Sequence, residues 1–140
     1  MMRYTLEKMN LPWGLVLVEG VPDELETFTQ PDENGIWTDG GTIYVFAFSP
    51  TRVPVSISIQ NEIGCNPGFV RIFDDEIEVD DEEIEIGDLN DKTFVISCRV
   101  PVADARIVIE VDRPNDATRL ILSIPDMTRQ RVESDEVTGG

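Results

Sequence analysis

The chain has 140 residues, 41% of them apolar and 7% aromatic, and 28 carboxylates against 11 Lys and Arg give it a formal charge of -17. That length and apolar content suit a single domain around one core. The chain contains no histidine, which excludes Ser-His and Cys-His nucleophile pairs, His-ligated zinc and a neutral-pH imidazole base.

The N-terminal MMRYTLEKMNLPW lacks an apolar signal core followed by small cleavage-site residues, and no apolar stretch approaches the length of a bilayer span. A cytoplasmic location is the expectation. Strand periodicity is expected over Arg3 to Lys8, Trp13 to Glu19, Thr42 to Ser49, Val53 to Gln60, Phe69 to Val79, Glu83 to Gly87, Thr93 to Val100, Arg106 to Asp112 and Arg119 to Ile124. Turn chemistry separates these runs at Asn34-Gly35, Asp39-Gly40-Gly41, Asn66-Pro67-Gly68, Asp88-Leu89-Asn90-Asp91 and Arg113-Pro114-Asn115-Asp116. Helical periodicity is limited to one possible turn, Asp23 to Phe28 after Pro22. The pattern predicts an all-β, single-domain antiparallel β-sandwich or jelly roll of about nine short strands. It places the β domain at residues 1–132, with 133–140 as a frayed C-terminal tail. Alternation points Tyr44, Phe46 and Phe48, then Val55, Ile57 and Ile59, then Phe94, Ile96 and Cys98 inward. Cys65 and Cys98 read as reduced thiols, with a disulfide between them left open.

The densest signal is DDEIEVDDEEIEIGDLND from Asp74 to Asp91, which holds eleven carboxylates and no Lys or Arg. Ile77, Val79, Ile84 and Ile86 alternate with acids, as strands with one buried face require, so the run reads as strand and not as a disordered acidic linker. Two strands, about 69 to 79 and 83 to 87, are expected on either side of Asp80, Asp81 and Glu82. If they pair as a hairpin, carboxylates face carboxylates, at roughly 0.2 to 1 kcal/mol of destabilisation per pair. A function other than stability would then explain the pattern.

Enzyme chemistry finds little support. Lys8 and Lys92 lack flanking groups that would desolvate an amine nucleophile. There is no Walker loop and no GxGxxG turn. Trp13 and Trp37 alone would have to supply the stacking platforms of a glycosidase. The expectation is a non-enzymatic protein without a cofactor.

Three binding readings compete. In the first, an acidic β surface made of Asp74, Asp75, Glu76, Glu78, Asp80, Asp81, Glu82, Glu83 and Glu85 masks a basic protein such as a nuclease or nucleic-acid-binding protein, without binding nucleic acid itself. A two-stranded acidic ladder would carry one charge per about 3.4 Å, half the linear density of duplex DNA at one per about 1.7 Å. The plainer alternative is that Glu76, Glu78, Glu83 and Glu85 protect an exposed edge or keep the protein soluble. In the second reading, loops at one end of a sandwich hold calcium as a C2-like module does, with Asp74, Asp80, Asp88, Asp91, Asp112 and Asp116 as ligands. In the third, the chain is a structural or assembly subunit that self-associates through Leu11 to Leu15 or through Ile36 and Trp37. The Gly139-Gly140 end is discounted as a ubiquitin-like terminus because no helix of the required length is signalled.

One resemblance bears on the choice. The stretch from Asp39 to Asp112, above all IEIGDLNDKTFVISCRVP from Ile84 to Pro101, resembles the small acidic β-rich nuclease inhibitors of the competence protein J type. The likeness lies in a strand, an Asp-Leu turn and a second strand ending in Cys-x-Val-Pro, and it covers about half the chain. It implies a non-enzymatic immunity-type β protein that masks the active site of a nuclease.

Overall fold

The computed structural model describes residues 3–8, 15–20, 35–39, 41–46, 55–64, 66–88, 95–114 and 117–132. Eleven strands run through them: β1 (Arg3–Lys8), β2 (Leu15–Glu19), β3 (Ile36–Asp39), β4 (Thr42–Phe46), β5 (Val55–Gln60), β6 (Val70–Glu78), β7 (Glu83–Asp88), β8 (Val95–Arg99), β9 (Asp104–Val111), β10 (Arg119–Ser123) and β11 (Arg129–Val132). No helix occurs among the described residues. The strands form two sheets, in the orders β1-β5-β10-β9-β6 and β11-β8-β7-β2-β4-β3. The all-β architecture is as the periodicity implied.

Two strands escape the sequence pattern. β3 has four residues between two glycine turns, and β11 reads RQRV; neither is long or apolar enough to stand out. The arrangement is also not wholly antiparallel, because β5 and β10 pair in parallel, with Leu120 beside Ile57 and Leu122 beside Ile59. This pair joins the β1-β5 edge of the first sheet to the antiparallel strands β10, β9 and β6.

Inward side chains of both sheets merge into one core: Ile57, Ile59, Ile77, Ala105, Ile107, Ile109, Val111, Leu120 and Leu122 from one side, with Val16, Val18, Ile36, Ile43, Val45, Ile84, Ile86, Ile96 and Cys98 from the other. Removing an Ile side chain from such a site costs about 2–5 kcal/mol. β4 uses the opposite register from the one its aromatics suggested: Ile43 and Val45 join the core, and Tyr44, although buried, lies on the other face of its sheet. Ile36, a candidate for self-association, is buried in the core and unavailable for it. Asp23 to Phe28, Leu11 to Gly14, Phe48, Cys65, Lys92, Phe94, the 133–140 tail and the side chains of Trp37, Phe46 and Val55 fall outside the described residues.

The acidic run does not fold as a hairpin ladder. β6 ends the first sheet, paired with β9, whereas β7 lies inside the second sheet between β8 and β2. The two acidic strands meet only at a single bridge, Asp80 to Glu83. The reason is visible in the core set, since Ile77 packs from one sheet and Ile84 and Ile86 from the other. One acidic stretch thus crosses the end of the sandwich and feeds both layers.

Candidate functional site: an acidic corner between the sheets

The crossing is a tight turn. Asp81 and Glu82 have φ of 55 and 56 degrees, and the Glu83 N–H donates to the Asp80 carbonyl at 3.2 Å. Two positive φ values in succession define a type I′ reversal, for which Asn-Gly is the favoured pair. Left-handed geometry costs non-glycine residues about 1–2 kcal/mol each, so the surroundings must hold it. They do so through the Glu82 carbonyl, which accepts from Val100 N at 2.8 Å, and the Glu82 carboxylate, which Arg99 Nη2 reaches at 2.6 Å.

Gly20 fixes the other side of the corner. Its carbonyl accepts from Asp80 N at 2.8 Å, and a Cβ there would lie 2.1 Å from the Glu78 carbonyl oxygen. Only glycine allows β2 to come this close to the end of β6. A shallow recess of about 210 Å³ results, lined by Glu19, Gly20, Asp80, Asp81, Glu83 and Glu85.

Of the nine acids singled out in the sequence, the structure gathers Asp80, Asp81, Glu82, Glu83 and Glu85 at this corner, with Glu78 at its rim. Asp74, Asp75 and Glu76 extend along β6. Glu76, Glu78 and Glu83 are exposed and Glu85 is half-buried, while Ile77, Ile84 and Ile86 are buried and Val79 half-buried, as the alternation required.

The like-charge pairs are not those of a hairpin. Across β6 and β9, Glu76 faces Arg106 and Glu78 faces Asp104; across β7, Glu83 faces Arg99 and Glu85 faces Ser97 on one side and Glu19 on the other. Glu19 and Asp104 are therefore corner acids that the sequence reading missed. Each stands next to a turn with a single carboxylate, and only strand register brings it to the cluster.

Among the described ion pairs, arginines hold two acids of the run, Asp74 and Glu82. Arg106 forks onto Asp74, Nε to Oδ1 and Nη2 to Oδ2, both at 2.8 Å, with Arg71 3.6 Å from the same carboxylate. The Arg106 hydrogen bonds lower the Asp74 pKa below the usual 3.8; slight desolvation opposes them, and the charges of Arg106 and Arg71 assist. Glu82 is the second, through Arg99. Asp75, Glu76, Glu78, Asp80, Asp81 and Glu83 form no ion pair with another described residue.

Of the calcium set, the side chains of Asp74, Asp80 and Asp112 are described. Asp112 is a turn staple: its carboxylate accepts from the backbone N–H groups of Arg113, Thr118 and Arg119 and from the Thr118 hydroxyl. Partial burial pushes its pKa up, but these donors outweigh it and the net shift is downward. Asp74 is forked by Arg106. Among the described residues no group of three His, Cys, Asp or Glu is placed to hold a metal ion. Asp91 and Asp116 lie outside the described residues, as does the side chain of Asp88.

Behind the corner, Cys98 is a free, fully buried thiol. Burial, with a smaller contribution from the Glu83 charge, pushes its pKa up to about 12, which leaves it protonated and unreactive. No helix among the described residues is long and apolar enough to cross a membrane.

No family model matches the chain, and no curated protein matches it in sequence. In fold it is similar to the crystal structure of ComJ, inhibitor of the DNA degrading activity of NucA, from Bacillus subtilis, with a TM-score of 0.58 and 14% identity over 89% of this chain and 94% of that one. At that identity the likeness is one of fold, and it agrees with the resemblance to the competence protein J type noted from Ile84 to Pro101.

Proposed function

We propose that this chain is a non-enzymatic inhibitor whose acidic corner and adjoining β6 edge mask a basic protein, with a DNA-degrading nuclease as the partner. The observation that carries the reading is the placement of the acids. Asp75, Glu76, Glu78, Asp80, Asp81 and Glu83 lie exposed on one end and edge of the sandwich, without ion pairs to other described residues, in a fold shared with a nuclease inhibitor. Carboxylates so concentrated attract Lys and Arg over several ångströms, speed association and exclude acidic partners. Arginine is the favoured contact wherever a carboxylate can accept a two-pronged bond.

The test is a titration of nuclease activity. Added to NucA and to any nuclease encoded beside this chain's own gene, the protein is expected to stop DNA degradation at a one-to-one ratio, and the block should weaken as salt rises. Undiminished degradation by all of these enzymes at low salt contradicts the reading.

A further inference from the structure

The edge of β6 carries more than charge. β6 is the last strand of its sheet and pairs only with β9 among the described strands. The Val79 N–H donates to the Ala103 carbonyl at 2.8 Å. Donor direction alternates along an antiparallel strand, so Ile77 and Asp75 turn their N–H groups toward β9, and Asp74, Glu76 and Glu78 turn theirs to the open side. In agreement, the Glu76 N–H is held by the Asp75 carboxylate, 2.8 Å from Oδ1. That oxygen occupies the place where the carbonyl of one more strand would sit.

Both ends of the open stretch are defined. Gly20 closes it beyond Glu78, where its carbonyl takes the Asp80 N–H and its Cα packs on the Glu78 carbonyl. At the other end, the register slips between Arg71 and Phe73, and a bulge there bends the strand away from regular pairing. What remains is Phe73 to Ile77, with Asp74, Asp75 and Glu76 exposed. An edge of this kind adds a strand readily unless its occupant is repelled. A second copy of this chain, at -17, is repelled; a cationic segment is drawn in.

We propose that the β6 edge from Phe73 to Ile77 is a docking rail for an extended cationic segment of the partner, which adds as an antiparallel strand. This rests on the reading above that the partner is basic. Main-chain bonds form to Asp74 and Glu76, the exposed Asp75 carboxylate swings aside, and a Lys or Arg opposite Glu76 meets that carboxylate directly and Glu78 on the diagonal. Geometry fixes which partner amides matter. A residue directly opposite Glu76 in an added antiparallel strand shares its face and directs its own N–H into β6, so the cationic residues are the ones whose backbone N–H groups bond.

The probe is a short peptide alternating Lys and Thr, measured by fluorescence anisotropy at low salt against two analogues, one N-methylated at every Lys and one at every Thr. Methylation at Lys is expected to weaken binding about tenfold, as the loss of two main-chain bonds implies, and methylation at Thr much less. Equal binding by the two analogues, or no binding of the parent peptide, overturns the rail and leaves the masking of a nuclease to the activity titration. If Glu76→Gln with Glu78→Gln fails to weaken the parent peptide, charge recognition at this edge is itself wrong.

Discussion

Arg106 on β9 grips both carboxylate oxygens of Asp74 on β6, one through Nε and one through Nη2. The fork ties the edge strand to its only described neighbour and removes Asp74 from the set of acids open to a partner. Arg71 extends the tie, lying 3.6 Å from Asp74 and 3.9 Å from the buried carboxylate of Glu110, which also accepts from Asn66 Nδ2 at 2.8 Å. Asp74 is therefore structural.

Its titration gives a first prediction. The folded-state pKa lies below the ordinary value, so the pair contributes stability above about pH 4, and that contribution disappears as pH falls through the depressed pKa. Asp74→Asn is expected to melt slightly lower than the parent at pH 7, with the gap closing toward pH 2. The gap is small because the pair is exposed. A difference that stays constant in melts from pH 7 to pH 2 contradicts the assignment.

Asp112 offers a larger effect. It accepts four hydrogen bonds across the turn that joins β9 to β10. Asp112→Ala leaves three backbone donors seeking water and is expected to cost about 1–3 kcal/mol in urea denaturation. A neutral result would mean that the turn holds itself.

Gly20→Ala tests the corner. The new methyl would meet the Glu78 carbonyl, a backbone atom that cannot move without disturbing the Val79 bond to Ala103. The expected loss is about 1–3 kcal/mol, as for overpacking elsewhere. Full stability with an unchanged amide spectrum at Glu78 to Glu83 would refute the close approach.

Glu78 faces Asp104 across the ladder. Glu78→Gln is expected to raise stability by about 0.2–1 kcal/mol at low salt, and the gain should fade as salt screens the pair. A lower melting temperature would mean that the carboxylate accepts a bond the fold needs.

Cys98 should be silent. With its thiol pushed up to about 12 by burial, a Cys65→Ser variant is expected to resist iodoacetamide at pH 8 until denatured. Rapid labelling of the folded variant would show that β8 opens easily.

Much of this was legible in the residues, and what was not has identifiable causes. Ile77, Ile84 and Ile86 announced buried faces because a period of two is rewarded only by packing. The same run could not say that its halves enter different sheets, since both halves show the same alternation and the turn residues, Asp81 and Glu82, are not the glycine or asparagine that usually mark a positive-φ reversal. Tyr44 misled because aromatic alternation in β4 competes with that of Ile43 and Val45, and only the opposing sheet decides which face is core. Glu19 and Asp104 carried no local signal, because cross-strand register placed them. The pairing of Asp74 with Arg106, 32 residues apart, was equally invisible.

On the proposed function, exposed acids of the corner and edge, and not the fold alone, hold the partner. Isothermal titration with NucA, or with whichever nuclease the chain proves to block, across a salt series decides it, for the parent and for the combined Glu76→Gln, Glu78→Gln and Glu83→Gln variant. Affinity is expected to fall steeply with salt for the parent, and the folded variant to bind at least about tenfold more weakly with a shallower salt slope. Equal affinity and equal slope for the two proteins would contradict it.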